Sequence, residues 1–165
     1  MVGRVPHVNA LESWITLDSE PGVAPGPLER VRALLNTDDR FHGTDRLADA
    51  PADLRAFRDA LRAFVVDGRS DELDRETARR PLVVRAHPDG LALAPTDAAD
   101  PLAALLVDVL AEQQAGRMQR LKACANPDCQ WVYYDASRNR SGRWCSMSEC
   151  GDVMKARAYR ARSRT

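Results

Sequence analysis

The chain has 165 residues, 44% apolar and 29% charged, with no apolar run long enough to span a bilayer. That length suits one main core plus a small appended module. The stretch Met1–Glu20 has no continuous apolar segment behind a basic start, as a secretory leader or membrane anchor would, which predicts a cytoplasmic protein with no membrane partner. The formal net charge of zero hides an asymmetry. Residues 1–116 carry 13 Arg and no Lys against 20 Asp and Glu, a net of −7; residues 117–165 carry 11 Lys and Arg against 4 acids, a net of +7. A basic tail of that kind suits a polyanion or the chain's own acidic part.

In chain order, Pro25, Gly26 and Pro27 mark a break before a helix over Leu28–Asn36, with Val31, Leu34 and Leu35 on its apolar face. His42, close in sequence to Asn36 and Asp39, is read as a loop histidine without a role in preference to a pocket-lining residue, and His7 and His87 carry no signal. Pro51 opens a second helix, in which Leu54, Phe57, Leu61, Phe64 and Val65 form one buried stripe. Residues 81–86 and 91–94 read as two strands around the turn His87-Pro88-Asp89-Gly90. Asp100, as N-cap before Pro101, opens a long helix from Leu102 to about Leu121 that leads directly into Cys124.

The four cysteines follow as C-x4-C-x15-C-x4-C: Cys124, Cys129, Cys145 and Cys150, with none in the preceding 123 residues. In a reducing cytosol, two close pairs of thiols point to a shared metal site, with two disulfides or unrelated buried thiols as the alternative. Four thiolates favour one structural Zn²⁺ with no open coordination position. Asn126, Pro127 and Asp128 are turn formers between the first two ligands. Trp131–Tyr134 reads as a strand, Ser137–Gly142 as a loop and Arg143–Ser146 as the returning strand. Cys150 then falls at the start of a helix over Val153–Arg162, and knuckle, hairpin and helix resemble a treble clef. Tyr133, Tyr134 and Trp144 are read as the finger's small core in preference to base-stacking residues, and Tyr159 as a surface aromatic.

The runs Cys124-Ala-Asn-Pro-Asp-Cys129, Asp135-Ala-Ser-Arg-Asn-Arg140 and Arg143-Trp-Cys-Ser-Met-Ser-Glu-Cys150-Gly151 resemble the bacterial CGNR zinc finger. Upstream, Leu34-Leu35-Asn36-Thr37 and the stretch from Asp45-Arg46-Leu47 through Pro51, Leu54 and Phe57 are similar to the ABATE-like domain that usually precedes that finger. The resemblance implies a stress-induced transcription regulator. It departs at Asp152 and Val153, which stand where the family carries Asn and Arg. That departure removes a cation beside the last ligand, partly compensated by Lys155, Arg157, Arg160, Arg162 and Arg164.

The expected fold is therefore α+β: a mainly helical domain with a small β-hairpin over 1–116, and a treble-clef-like zinc finger with a basic C-terminal helix over 117–165. Arg138, Arg140 and Arg143 flank the finger's hairpin, and Arg157, Arg160 and Arg164 recur on one helix face. With Lys155 they are the candidate nucleic-acid contacts, and DNA is the expected partner. Against this stand a finger that binds protein or RNA, and arginines that merely solvate the surface or pair with the acidic part. A homodimer would read paired half-sites, and the N-terminal domain would sense an unidentified small molecule or protein. No Ser-His-Asp arrangement, phosphate-cradling Gly-rich loop or His-carboxylate cluster marks an enzyme.

Overall fold

In the computed structural model, residues 22–163 are described; the expectations for Met1–Glu20, His7 and Arg164 lie outside the described residues. Helix α1, Leu28–Leu35, follows Pro27 and buries Leu28, Val31, Leu34 and Leu35 on one stripe. A two-residue antiparallel ribbon comes next, β1 (Asp38–Asp39) against β2 (Thr44–Asp45). Helix α2, Ala52–Asp67, begins after Pro51 and stops at Gly68, whose φ of 70° lets the Gly68 and Arg69 N–H groups turn back to the Phe64 and Ala63 carbonyls.

Helix α3, Asp71–Ala78, has no counterpart in the sequence reading. Its inward face offers Leu73 as the one large apolar residue, beside the buried Glu76, so periodicity gives no signal. Asp71, Glu72 and Asp74 in its first turn favour it through the helix dipole. Strands β3 (Leu82–His87) and β4 (Gly90–Pro95) form the expected hairpin, His87 opposite Gly90 and Leu82 opposite Pro95.

Helix α4, Pro101–Gln114, starts as expected: the Asp100 carboxylate accepts from the Leu102 N–H at 2.9 Å and the Ala103 N–H at 3.2 Å. It does not reach Leu121. Gly116, at φ 70°, reverses the chain, and the Gly116 and Arg117 N–H groups donate to the Gln113 and Glu112 carbonyls, the paired bonds that close a helix C-terminus. One tight turn, Met118–Arg120, then delivers β5 (Leu121–Ala123).

A second correction concerns the finger's strands. β6 (Val132–Tyr134) forms where expected, but its partner is β5, in the register Leu121 with Tyr134 and Ala123 with Val132. The segment Arg143–Ser146 is not a strand; it meets the knuckle through one backbone bond, Ala125 N–H to the Arg143 carbonyl at 2.8 Å. The turn between Cys124 and Cys129 folds the chain back at once, so the residues just before it are the ones laid beside β6, and the Cys124 N–H extends the ladder to the Trp131 carbonyl at 2.8 Å.

The architecture is α+β, with three two-stranded antiparallel sheets among the described residues. The apolar faces of α1, α2 and α4 form one core, and Leu121 of β5 and Val132 of β6 belong to it. No described helix is long and apolar enough to cross a membrane.

Candidate metal centre

The first ligand pair is shaped by Asn126, a buried residue whose carbonyl accepts from the Cys129 N–H at 2.9 Å and the Gln130 N–H at 3.1 Å. Its side-chain oxygen accepts from the Asp128 N–H at 3.2 Å, and its Nδ2 donates to Cys150 Sγ at 3.5 Å. One asparagine thus turns the knuckle and ties it to the last ligand. Cys150 lies in a wide turn, Met147–Gly151, that runs straight into α5, Asp152–Arg162. Gly151 is held there by space: a Cβ on it would stand 2.6 Å from Met147 Sδ and 3.2 Å from Trp144 Cδ1.

The sulfurs of Cys124, Cys129, Cys145 and Cys150 all lie within 4.8 Å of one another. Four sulfurs about 2.3 Å from a central ion stand about 3.8 Å apart at the corners of a tetrahedron. Cys129 and Cys145 are separated by 3.8 Å, as are Cys145 and Cys150. All four are free thiols rather than disulfides. Three are buried, Cys145 is half-buried, and Trp131 and Trp144 pack around them.

Crowding makes the thiols compete for charge. The Cys145 thiol, hydrogen-bonded to Cys129, lowers the Cys129 pKa to about 6 against the opposing effect of burial. That same hydrogen bond, then burial and the neighbouring negative charge, push Cys145 up, and burial raises Cys150. A dication relieves this mutual repulsion. The cluster fits one structural zinc ion, held by four cysteines with no open position.

Two further networks, neither anticipated from the sequence, position the finger. Asp135 is buried; it accepts from Lys122 Nζ at 2.6 Å, the Gly142 N–H at 2.8 Å and the Ser137 N–H at 3.0 Å. Burial opposes ionisation, but these donors outweigh it and hold the carboxyl well below its ordinary range. Arg120 Nη1 donates to the Asp135 and Ser137 carbonyls, so the loop 136–142 is pinned from both sides. The Asx-turn pattern Asp135-Ala136-Ser137 is the local signal that could have revealed it.

The second network joins finger to helices. Asn36, 2% exposed at the end of α1, donates from Nδ2 to the Val132 carbonyl and accepts at Oδ1 from the Val132 N–H, both at 2.8 Å. Its amide thus substitutes for a neighbouring strand on β6. Arg62 of α2, buried, donates to the Leu35 carbonyl at 3.1 Å and to the Gln130 carbonyl. Tyr133 is buried, with its hydroxyl pushed up to about 12 by burial and the Asp135 charge; Tyr134 packs on the main core and Trp144 on the cysteines. Tyr159 is 66% exposed.

The basic candidates divide between two elements. Arg138, Arg140 and Arg143 are exposed on or beside the pinned loop. Arg138 has no partner among the described residues, Arg140 donates to Gln119 Oε1 at 3.0 Å, and the Arg143 guanidinium lies 5.1 Å from the Trp144 ring centre. Lys155, Arg157 and Arg160 are exposed on α5, with Lys155 3.4 Å from Asp152 and Arg157 2.7 Å from Asp128. No hydrogen bond or ion pair joins the two groups among the described residues. Asp152 occupies the first position of α5, where the helix dipole favours an acid, and Val153 is exposed.

His42 lies beside the finger, its Nδ1 2.8 Å from Asp39 Oδ2. It lines a cleft of about 470 Å³ between the β1–β2 loop and the metal centre.

A compact cluster of four cysteines, spaced for tetrahedral coordination and set ahead of a basic helix, defines a structural zinc finger. Residues 120–163 match the family model of the CGNR zinc finger. No curated protein matches the chain.

Proposed function

We propose that this chain is a transcription regulator that binds DNA through arginines displayed by its zinc finger. The observation carrying this reading is that Arg138, Arg143, Arg160 and Arg162 stand exposed without a carboxylate partner among the described residues. In the acidic part several arginines meet acids of that same part, with Arg30 to Asp108, Arg58 to Asp45 and Arg80 to Glu76. Among the described residues only Arg117, through Glu112, pairs across the two parts. Arg138, Arg143, Arg160 and Arg162 therefore remain available to a polyanion.

In this reading the metal is scaffold. Zinc and Asp135 fix a treble-clef-like frame over residues 117–165, and α5 and the loop 136–143 carry the phosphate contacts. Residues 1–116 form an ABATE-like sensor domain for a small molecule or protein, coupled to the finger through Asn36 and Arg62, and a homodimer doubles the contacts. No catalytic role is assigned. Asp152 and Val153 supply no cation, so affinity rests on the arginines further along the chain. Fluorescence anisotropy of a mixed-sequence duplex with the zinc-loaded full chain tests the reading. Binding that weakens steeply with salt is expected; no binding at low salt ends it.

A further inference from the structure

From Asp152 to Arg162, α5 buries no residue, and Met154 alone is half-buried. Packing supports it little, yet it is firmly mounted, because Cys150 lies in the turn that runs straight into it. It carries Lys155, Arg157, Arg160 and Arg162 against the single acid Asp152. Resting on the DNA-binding reading, we infer that α5 lies in the major groove of duplex DNA, with Tyr159 toward the base edges, Arg160 on one phosphate backbone and Lys155 and Arg162 on the other.

The distribution of charge around the helix carries this placement. At about 3.6 residues per turn, each residue stands about 100° on from the last. Met154 and Arg157 mark the side turned to the finger, since Met154 is half-buried and Arg157 lies 2.7 Å from Asp128 of the knuckle. The line through Ala156 and Tyr159 faces about 170° away from Met154. Arg160 stands about 70° to one side of that line, and Lys155 and Arg162 about 70–90° to the other. Past Asp152, which heads the line at the mounted end, the outward strip is therefore uncharged and flanked by cations, with Tyr159, 66% exposed, at its middle.

Two cationic flanks on either side of a neutral strip match a groove bounded by two phosphate backbones. A helix with its side chains is about 10–12 Å across, which fits the major groove, about 12 Å wide, and not the minor groove, about 6 Å wide. Arg160 and Arg162 have no acidic partner among the described residues, and Lys155 has only the exposed Asp152, at 3.4 Å. The Tyr159 hydroxyl both donates and accepts, so it suits base edges of either kind. Asp152 and Glu149 keep the mounted end clear of the phosphates, and the turns from Lys155 to Arg162 enter.

The test follows the anisotropy of a fluorescein-labelled mixed-sequence duplex containing A·T runs, with the zinc-loaded full chain and its Tyr159→Ala variant, in the presence of methyl green, which occupies the major groove, or netropsin, which occupies the minor groove. Methyl green should displace the chain and netropsin should not. Y159A should lose about fivefold in affinity with an unchanged salt slope, because an uncharged side chain releases no counterions. Tyr159 is largely exposed, so the variant keeps its fold, checked by unchanged zinc content. Displacement by netropsin, displacement by neither dye, or equal affinity in Y159A overturns the groove assignment while duplex binding leaves the DNA reading standing. Absence of duplex binding at low salt overturns both.

Discussion

Replacing Asn36 with alanine removes an amide that supplies both hydrogen-bond partners of the Val132 backbone on that edge, each at 2.8 Å. Val132 is fully buried, so water does not readily replace them. An unsatisfied buried N–H or C=O costs about 1–3 kcal/mol, and the truncation leaves one of each, for a total of about 2–6 kcal/mol. In a chain of this size about 1 kcal/mol lowers Tm by roughly 2–4 °C, so Asn36→Ala should melt about 4–24 °C lower. Asn36→Asp keeps the acceptor but sets a carboxylate against the Val132 carbonyl, and should be at least as destabilising. Thermal unfolding by circular dichroism reads the loss. Zinc transfer to a colorimetric chelator reads the coupling, since β6 runs up from the second ligand and should release metal faster once unpinned. A Tm within about 1 °C of the parent chain, with unchanged zinc release, would refute the claim that Asn36 ties the helical core to the finger.

Chelation should reach beyond the finger: because Leu121 and Val132 sit in the main core, hydrogen-exchange protection should fall in α1 and α4 as well as in β5 and β6. Protection lost only after residue 120 would contradict that. Asp135→Ala removes three hydrogen bonds and leaves Lys122 beside carbonyls alone, a cost of about 2–4 kcal/mol by chemical denaturation. The folded carboxyl titrates below its unfolded value, so its contribution is complete above about pH 4 and fades only as pH falls through the folded value. The penalty in D135A should therefore be flat between about pH 6 and 8. Gly151→Ala forces Met147 Sδ aside from 2.6 Å; because Met147 is exposed and free to rotate, the cost should be about 1 kcal/mol, with zinc still bound.

The metal site was legible because ligands declare themselves by residue type and spacing: four cysteines in 27 residues leave few arrangements. Helices α1 and α2 and the β3–β4 hairpin were legible through apolar period, proline and turn residues, and the Asp100 cap through its chemistry. What stayed hidden depends on partners distant in sequence or on a single backbone torsion. The pairing of β5 with β6 carries no period in strands of three residues, and apolar residues continuing past Gln114 mask the stop that Gly116 imposes. Asn36 reads as an ordinary helix end, since its partner lies 96 residues away. Asp135 reads as a loop acid until Lys122 and Gly142 are seen around it.

As proposed above, unpaired finger arginines meeting phosphates is what makes the chain a nucleic-acid binder. It is tested most directly by the salt dependence of nucleic-acid affinity for the zinc-loaded chain against a variant with Arg138, Arg143 and Arg160 changed to Ala. Each phosphate contact contributes about 0.9 to the slope of log affinity against log salt on duplex DNA. The variant's slope should be shallower by about 2–3 units with zinc content unchanged; an unchanged slope would mean that these arginines do not meet phosphates.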